Sequence, residues 1–310
     1  MKICVIGPGA LGCLFGALLA RAGHKVWLSD HRPERARLIE AQGLELHDQM
    51  GRLVVPVRAT ADPSQIGPVQ LMLLCVKSDD VVSAAHNAIP ALGSGGLLIA
   101  LQNGIAHHPR LMELGHHPWA LGITAQGANL LRSGVVRHGG SGSTSVGFLM
   151  KVDDSATLRL RETADLLNQA GISTTISTDI LTAAWNKLIV NVGINALTAL
   201  EDCRNGDLLR RPAALATMKS AVQEATRVAL ASGITITPDP VAMTIAVCRQ
   251  TEDNISSMLQ DIRHRRRTEV NAINGVIVCM AVALGIAAPV NQALLDGVKA
   301  IESQWHLEAC

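Results

Sequence analysis

The chain has 310 residues, of which 48% are hydrophobic and 17% charged, and its formal net charge is +1. That length allows two globular domains, whereas the small net charge excludes the broad positive field with which proteins attract nucleic acid or acidic membranes. Tyrosine is absent and no apolar run reaches the length of a membrane span, so catalysis by a tyrosine hydroxyl and a transmembrane location are excluded.

The first predicted element is a strand that runs directly into a glycine turn and a helix. Residues 2–6 form a short run that is apolar after Lys2, and residues 13–20 have helical character. In a dinucleotide-binding βαβ unit Gly7 permits the tight turn, Gly9 lets the backbone approach a pyrophosphate, and Gly12 packs the helix against the strand. The alternative is an ordinary strand-to-helix turn. The predicted cofactor-binding turn is Gly7, Pro8, Gly9, Ala10, Leu11 and Gly12.

The end of the second predicted strand, residues 25–29, is where such a unit selects its cofactor. An acidic residue there binds the ribose 2′-hydroxyl of NAD, whereas basic residues accommodate the 2′-phosphate of NADP. Asp30 stands at the acidic position, but His31 and Arg32 follow directly and form a fork for a phosphate. We therefore predict NADP, with NAD still open because of Asp30. In the alternative interpretation Asp30 caps the next helix, and Arg32 and Arg35 are solvated.

The position of the turn and the cysteine content bear on cellular location. Because the dinucleotide fingerprint begins at residue 2, we expect no signal or transit peptide and a cytoplasmic protein. The seven cysteines lack CxxC spacing, and most lie in apolar runs. We predict that they are reduced and form neither a disulfide framework nor a zinc site.

Two later strands bring polar residues to one edge of the predicted sheet. Residues 71–76 form an unbroken apolar run that ends at Lys77, and residues 96–101 lead into Gln102-Asn103-Gly104. Ligands of open α/β sheets lie beyond the carboxyl ends of the strands, so Lys77 and Asn103 are predicted to lie near the cofactor. Alone, Lys77 also fits an exposed lysine beside a helix cap.

Two histidine pairs follow, at His107-His108 and His116-His117. A metal site would need a further ligand, and Glu113 is the one acidic residue suitably spaced. We predict a polar loop here and no metal.

The remaining pattern divides the chain in two. Residues 121–149 read as strands that extend the sheet, followed by a helix at 156–170 and a last strand at 171–177. Beyond that point almost every segment has helical periodicity. We predict an α/β fold with an N-terminal Rossmann-type doubly wound sheet, the NADP-binding domain at 1–178, and an all-helical substrate and catalytic domain at 179–310.

The first helix of the second domain carries a narrow polar face. Lys187, Asn191 and Asn195 are spaced four residues apart, so they line one side while aliphatic residues fill the rest. Enclosure by those aliphatic residues removes hydration from the lysine, which lowers its pKa and makes it a better proton donor near neutral pH. The alternative is a surface stripe with a lysine that reaches solvent.

A second polar segment begins at Ser257. On one straight helix Glu269 would point about 120° away from Ser257. We therefore expect a break in the basic stretch 264–267, with a new helix starting at Thr268-Glu269.

Together these residues resemble the ketopantoate reductase family, the 2-dehydropantoate 2-reductases, over nearly the whole chain. The matching motifs are the glycine turn at Gly7, Lys77, Gln102-Asn103-Gly104, the helix from Trp185 to Asn195, Asn205-Gly206, the segment from Ser257 to Asp261, and Thr268-Glu269. The resemblance implies NADPH-dependent reduction of 2-dehydropantoate, a small 2-oxo acid, to (R)-pantoate in pantothenate synthesis.

The resemblance also implies roles for individual residues. Lys187 corresponds to the general acid that protonates the ketone oxygen as hydride arrives at its carbon, and Glu269 to a second catalytic group. The positions that match substrate-holding residues are Asn103, which is also near the nicotinamide, Asn191, Asn195 and Ser257. One departure concerns the cofactor, because many relatives have a basic residue in place of His31 and a small residue in place of Asp30.

Three other functions stay open. The chain could reduce another 2-oxo acid, or be a β-hydroxyacid dehydrogenase-like enzyme, although the segment at Ser257 and Glu269 argue against the latter. A non-catalytic dinucleotide sensor is disfavoured by Lys187 and Glu269. A homodimer is one assembly open to such a chain, and nothing in the sequence decides it.

Overall fold

The computed structural model of the protein describes residues 1–112 and 119–307. Contacts between Cα atoms divide it into two compact units. The first comprises residues 1–102 and 107–180, and the second comprises residues 103–106 together with the described chain from residue 181 onward. The short segment 103–106 thus belongs to the second unit, although the residues before and after it belong to the first.

The first unit is built on an eight-stranded sheet. Strand β1 (Lys2–Ile6) pairs in parallel with β2 (Lys25–Ser29) and β6 (Val69–Leu74). The other members are β5 (Arg58–Thr60), β7 (Leu92–Ala100), β8 (Trp119–Thr124), β11 (Thr144–Gly147) and β12 (Thr174–Ile176). Their order is β12, β11, β8, β7, β6, β1, β2, β5, with the β8–β11 pair antiparallel and the others parallel. This sheet confirms the predicted Rossmann-type fold class.

A separate four-stranded sheet corrects one prediction. Strands β3 (Leu44–Asp48), β4 (Gly51–Val55), β9 (Gly127–Arg132) and β10 (Val135–Gly140) form a sheet in the order β4, β3, β10, β9. The prediction that residues 121–149 all extend the main sheet is therefore wrong for β9 and β10. Gly134, with φ of +75°, turns β9 back into β10, and β10 then pairs in parallel with β3.

Helix α1 (Ala10–Arg21) joins the two sheets of the first unit. It contacts β1 and β2 of the large sheet and β3, β9 and β10 of the small one. Leu14, Phe15 and Leu18 of this helix are at most 1% exposed. Burial of such side chains contributes roughly 1.5–3 kcal/mol each. Contacts with both sheets therefore fix the position of α1 and of the turn that precedes it. The other helices of the unit are α2 (Pro33–Gln42), α3 (Val81–Ala88), α4 (His108–Met112) and α5 (Asp154–Gln169).

The second unit is helical, as predicted. Its helices are α6 (Ile180–Leu200), α7 (Asp207–Arg210), α8 (Pro212–Ala231), α9 (Pro240–Gln250), α10 (Ser257–Arg263), α11 (Val276–Leu284) and α12 (Pro289–Leu307). Helix α10 ends at Arg263 and helical structure resumes at residue 270, which confirms the predicted break. A π-helical turn, Asn271–Gly275, follows Glu269. Such turns are rare and are frequent at functional sites.

Helix α6 is the central apolar element of the second unit. Over residues 1–112 and 119–307 it is the one helix long and apolar enough, by length and composition alone, to cross a membrane. However, 67% of its 18-residue apolar window is buried inside the protein. A helix at the core of a folded domain meets the same criterion, so this finding is weak support for a membrane span.

Candidate functional site

The glycine turn between β1 and α1 has the geometry that the fingerprint predicts. Gly7 has φ of +89°, a conformation that disfavours other residues, and a Cβ there would lie 2.7 Å from Val76 Cγ1. A Cβ on Gly12 would overlap the carbonyl oxygen of Gly7. Gly7 is therefore required by its backbone conformation and by the residues that follow β6, and Gly12 is required by the packing of α1 against the turn.

Gly9 differs from Gly7 and Gly12, the other two glycines of the turn. Apart from Gly9 and the residues on either side of it, no described residue has a heavy atom within 4 Å of a Cβ built on Gly9, so this position borders open space. Gly9 is also the N-cap of α1, and none of the described side chains caps this helix. Backbone N–H groups at a helix N-terminus bind anions, so the turn fits the phosphates of a dinucleotide.

The structure places Asp30 in a different environment from its neighbours His31 and Arg32. Asp30 is 2% exposed and accepts hydrogen bonds from the Nε and Nη2 atoms of Arg35. His31 and Arg32 are exposed. The alternative prediction that Arg35 is solvated is wrong, because its guanidinium is used to neutralise a buried carboxylate. The spacing of Asp30 and Arg35 in the sequence did not predict this pair, because Arg35 reaches Asp30 only when α2 begins at Pro33.

Lys77 lies where β6 ends. It is half-buried and precedes a short 3₁₀ turn, Ser78–Asp80, in which the Asp80 N–H donates to the Lys77 carbonyl at 2.9 Å. The neighbouring strand end is tied to β6 by Gln102, whose Nε2 donates to the Leu74 carbonyl at 2.8 Å. The carboxyl ends of β6 and β7 are thereby fixed side by side in the first unit, as expected for a ligand-binding edge.

The polar face of α6 lies in the second unit. Lys187 and Asn191 are half-buried, and Asn195 is 6% exposed. Burial lowers the pKa of the Lys187 ammonium from its usual 10.5 to about 8, and the nearby Glu269 carboxylate opposes this shift. The pKa therefore moves in the direction predicted from the aliphatic residues around the lysine.

Glu269 is contacted by a residue that is distant in sequence. Asn103 Nδ2 donates to Glu269 Oε2 at 3.0 Å, and both residues belong to the second unit. Gly104 has φ of +78°, and a Cβ there would overlap the carbonyl oxygen of Ala272 in the π-helical turn. The segment 103–106 is thus seated closely against the turn that follows Glu269. Three predicted residues, Lys187, Glu269 and Asn103, are brought together.

Ser257 stands on a different helix from Lys187. It is exposed at the first position of α10, and its neighbour Ser256 caps that helix by accepting from the Leu259 N–H at 3.1 Å. Ser256 also accepts a hydrogen bond from Thr198 of α6, at 2.7 Å. This buried link ties the start of α10 to the same helix that carries Lys187.

A buried polar network that the sequence did not reveal supports α6. Asn274 in the π-helical turn donates to the Val192 carbonyl of α6 at 3.3 Å and to Asn291 Oδ1 at 3.0 Å. Asn291 in turn donates to Glu224, which is 4% exposed, through both its backbone N–H and its side chain. The network joins α6, α8, α12 and the π-helical turn. It therefore fixes α6, which carries Lys187, relative to the turn that follows Glu269.

The first histidine pair contradicts the prediction of a polar loop. His107 and His108 are 2% and 7% exposed, their rings meet edge to face at 4.7 Å, and His108 begins α4. Burial lowers the pKa of His107 to about 4 and that of His108 to about 3. Glu113, His116 and His117 lie outside the described residues. Within the described part no group of three or more metal-binding side chains is found, and its six cysteines are free thiols.

Two family models match the chain. The model described as ketopantoate reductase PanE/ApbA matches residues 3–151, and that of the ketopantoate reductase PanE/ApbA C terminal matches residues 179–302. Together they cover both units.

Individual relatives are similar over nearly the whole chain. A 2-dehydropantoate 2-reductase of Halobacterium salinarum is 37% identical over 304 residues, which cover 96% of this chain and 98% of the relative. A PanE/ApbA family ketopantoate reductase from Ralstonia eutropha has a crystal structure with 34% identity and a TM-score of 0.88, covering 98% and 99% of the two chains. A D-mandelate dehydrogenase in complex with NADH and anilino(oxo)acetate has 27% identity and a TM-score of 0.89 at the same coverage.

Proposed function

Because this chain belongs to the ketopantoate reductase PanE/ApbA family, we propose that it reduces 2-dehydropantoate to (R)-pantoate with NADPH. The observation that carries this proposal is the half-buried Lys187, whose pKa of about 8 suits a proton donor near neutral pH. A bound nicotinamide dinucleotide supplies hydride to the keto carbon. Every other part of the chemistry falls to side chains of the protein.

Lys187 acts as the general acid. As hydride adds to the keto carbon, negative charge develops on the ketone oxygen, and an ammonium group beside that oxygen stabilises it. Lys187 Nζ then transfers one proton to the oxygen, so the ketone becomes a hydroxyl and the lysine becomes a neutral amine. A pKa of about 8 keeps the lysine charged at pH 7 while making proton release easier than from an ordinary lysine.

Glu269 favours the protonated form of Lys187. Its carboxylate raises the lysine pKa against the effect of burial, so it preserves the fraction of ammonium available at neutral pH. The hydrogen bond from Asn103 at 3.0 Å fixes the carboxylate in turn. We assign Glu269 as the second catalytic group, and Asn103 as a residue that contacts both substrate and nicotinamide.

The remaining residues bind the two ligands. We assign substrate binding to the side-chain amides of Asn103, Asn191 and Asn195 and to the hydroxyl of Ser257. These groups can donate hydrogen bonds to the carboxylate and keto oxygens of a 2-oxo acid. The pyrophosphate is assigned to the turn from Gly7 to Gly12, with Lys77 near the cofactor. Exposed His31 and Arg32 are assigned to the 2′-phosphate, which favours NADPH over NADH.

A pH profile tests the assignment of Lys187. Because proton donation requires the ammonium form, kcat/KM is expected to fall by about tenfold per pH unit above roughly pH 8 and to stay level just below it. A Lys187→Arg variant retains its charge to much higher pH, so its residual activity should lack this inflection. An unchanged wild-type rate up to pH 9.5 would contradict a proton donor with this pKa.

The substrate and cofactor are tested by steady-state kinetics with NADPH and NADH against a panel of 2-oxo acids. The highest kcat/KM is expected for 2-dehydropantoate with NADPH. The structural likeness to D-mandelate dehydrogenase with NADH favours a second candidate, reduction of an aromatic 2-oxo acid. Preference for phenylglyoxylate with NADH would select that candidate, and tight NADPH binding without turnover of any 2-oxo acid would contradict both.

A further inference from the structure

The carboxylate of Asp30 is enclosed by hydrogen-bond donors of the protein itself. Arg35 contacts both of its oxygens, with Nη2 at 2.7 Å from Oδ1 and Nε bonded to Oδ2. The backbone N–H of Arg32 donates to Oδ1 at 3.1 Å. The Asp30 side chain is 1% exposed, whereas the His31 side chain is 76% exposed.

This geometry removes Asp30 from the role that its position suggests. An acid at the end of β2 selects NAD by accepting hydrogen bonds from the ribose, which requires carboxylate oxygens open to the ligand. Three protein donors already use the Asp30 oxygens, and burial closes the approach to the remaining lone pair. The Asp30 carboxylate is therefore not accessible to the hydroxyl groups of a ribose.

The charge of the acid is cancelled as well. Arg35 and Asp30 form a bidentate pair that is neutral as a unit, and the exposed Arg32 adds a positive charge beside it. Arg35 is the third residue of α2, where the helix dipole disfavours a cation. Its pairing with Asp30 offsets this unfavourable interaction with the helix dipole. The pairing also neutralises the negative charge of Asp30 at the end of β2.

We propose that Arg35 is a specificity-determining residue, because its pairing withholds the Asp30 carboxylate from the cofactor ribose and leaves this strand end favourable to a 2′-phosphate. This inference rests on the proposed binding of a dinucleotide at the glycine turn. Arg35 acts through Asp30 and touches no reacting atom, so it is a positioning residue. Without Arg35 the unpaired carboxylate would repel the 2′-phosphate and seek hydroxyl donors.

The test measures dissociation constants of NADPH and NADH for the full-length protein by fluorescence titration and calorimetry. Arg35→Met is expected to lower the affinity ratio of NADPH to NADH at least tenfold. Arg37→Met removes the same charge from the same helix at a side chain that is 76% exposed, and should change the ratio by less than about threefold. An equal change in both variants would overturn the proposal.

Two further variants keep the test decisive if Arg35→Met folds poorly. Asp30→Asn should leave NADH affinity within about twofold of the wild type, and a tenfold loss confined to NADH would identify Asp30 as a ribose ligand and overturn the proposal. The double variant Asp30→Asn with Arg35→Met should restore the ratio to within about threefold of the wild type, since no unpaired acid remains. A ratio that stays low in the double variant would also overturn it.

Failure of the inference is distinct from failure of the proposed function. A wild type that binds neither dinucleotide contradicts both. A wild type that prefers NADPH, with a ratio that Arg35→Met leaves unchanged, contradicts the role of Arg35 alone. If the wild type prefers NADH, the proposed NADPH preference is wrong, and the Asp30→Asn measurement then decides whether the acid contacts the ribose.

Discussion

Replacing Lys187 with alanine is expected to lower kcat by about 10²- to 10⁴-fold, the usual contribution of a positioned general acid. NADPH affinity should stay within about twofold, because Lys187 is assigned to the ketone oxygen of the substrate and not to the phosphates or the ribose of the cofactor. Stopped-flow measurement of NADPH oxidation and fluorescence titration of NADPH separate these two quantities. The large loss is expected because alanine removes both the proton and the positive charge that Lys187 supplies beside the ketone oxygen.

Lys219 provides the matched control for this variant. It lies on α8 of the same unit and is exposed, so Lys219→Ala should leave both kcat and KM within about twofold. If Lys187→Ala instead raises KM while kcat stays normal, the lysine binds substrate without donating the proton.

Replacing Gly9 with valine is expected to weaken NADPH binding by about 100-fold or more, equivalent to ~3 kcal/mol. The φ of Gly9 is −78°, which valine tolerates, and the space beside its Cβ position is open in the described chain. The new side chain therefore fits the protein but occupies the space through which a pyrophosphate approaches α1. The melting temperature should change by no more than about 3 °C, as measured by differential scanning fluorimetry.

Gly12→Ala should behave differently from Gly9→Val. Its Cβ would overlap the Gly7 carbonyl oxygen, so the variant should lose folding stability together with cofactor binding. Normal NADPH affinity in Gly9→Val would mean that phosphates bind elsewhere, and the assignment of the turn would then be wrong.

The sequence predicted those parts of the protein that depend on local patterns. The strand, turn and helix at residues 2–21 are encoded by adjacent residues, and the spacing of Lys187, Asn191 and Asn195 on one helix requires only helical periodicity. The break between α10 and the segment after Glu269 followed from a simple angular argument. The role assigned to Lys187 stays a prediction that the variants above test.

The features that escaped prediction depend on the packing of the folded chain. Strand β3 pairs with β10, where Glu45 aligns with Val135, and neither segment carries a signal of its partner. His107 and His108 read as polar residues, yet tertiary packing buries them. Arg35 gave no hint of its pairing, since a basic residue on a first helical turn is usually solvated. In each case the outcome depends on tertiary contacts, which the local sequence pattern does not encode.

The placement of residues 103–106 in the second unit has a consequence for the folding of the chain during its synthesis. Asn103 is 166 residues from the Glu269 carboxylate to which it donates a hydrogen bond. A ribosome that translates from the N-terminus releases this loop long before its partner exists, so its final geometry must wait until the chain is almost complete. Nascent chains halted before residue 269 therefore lack the hydrogen bond between Asn103 and the Glu269 carboxylate.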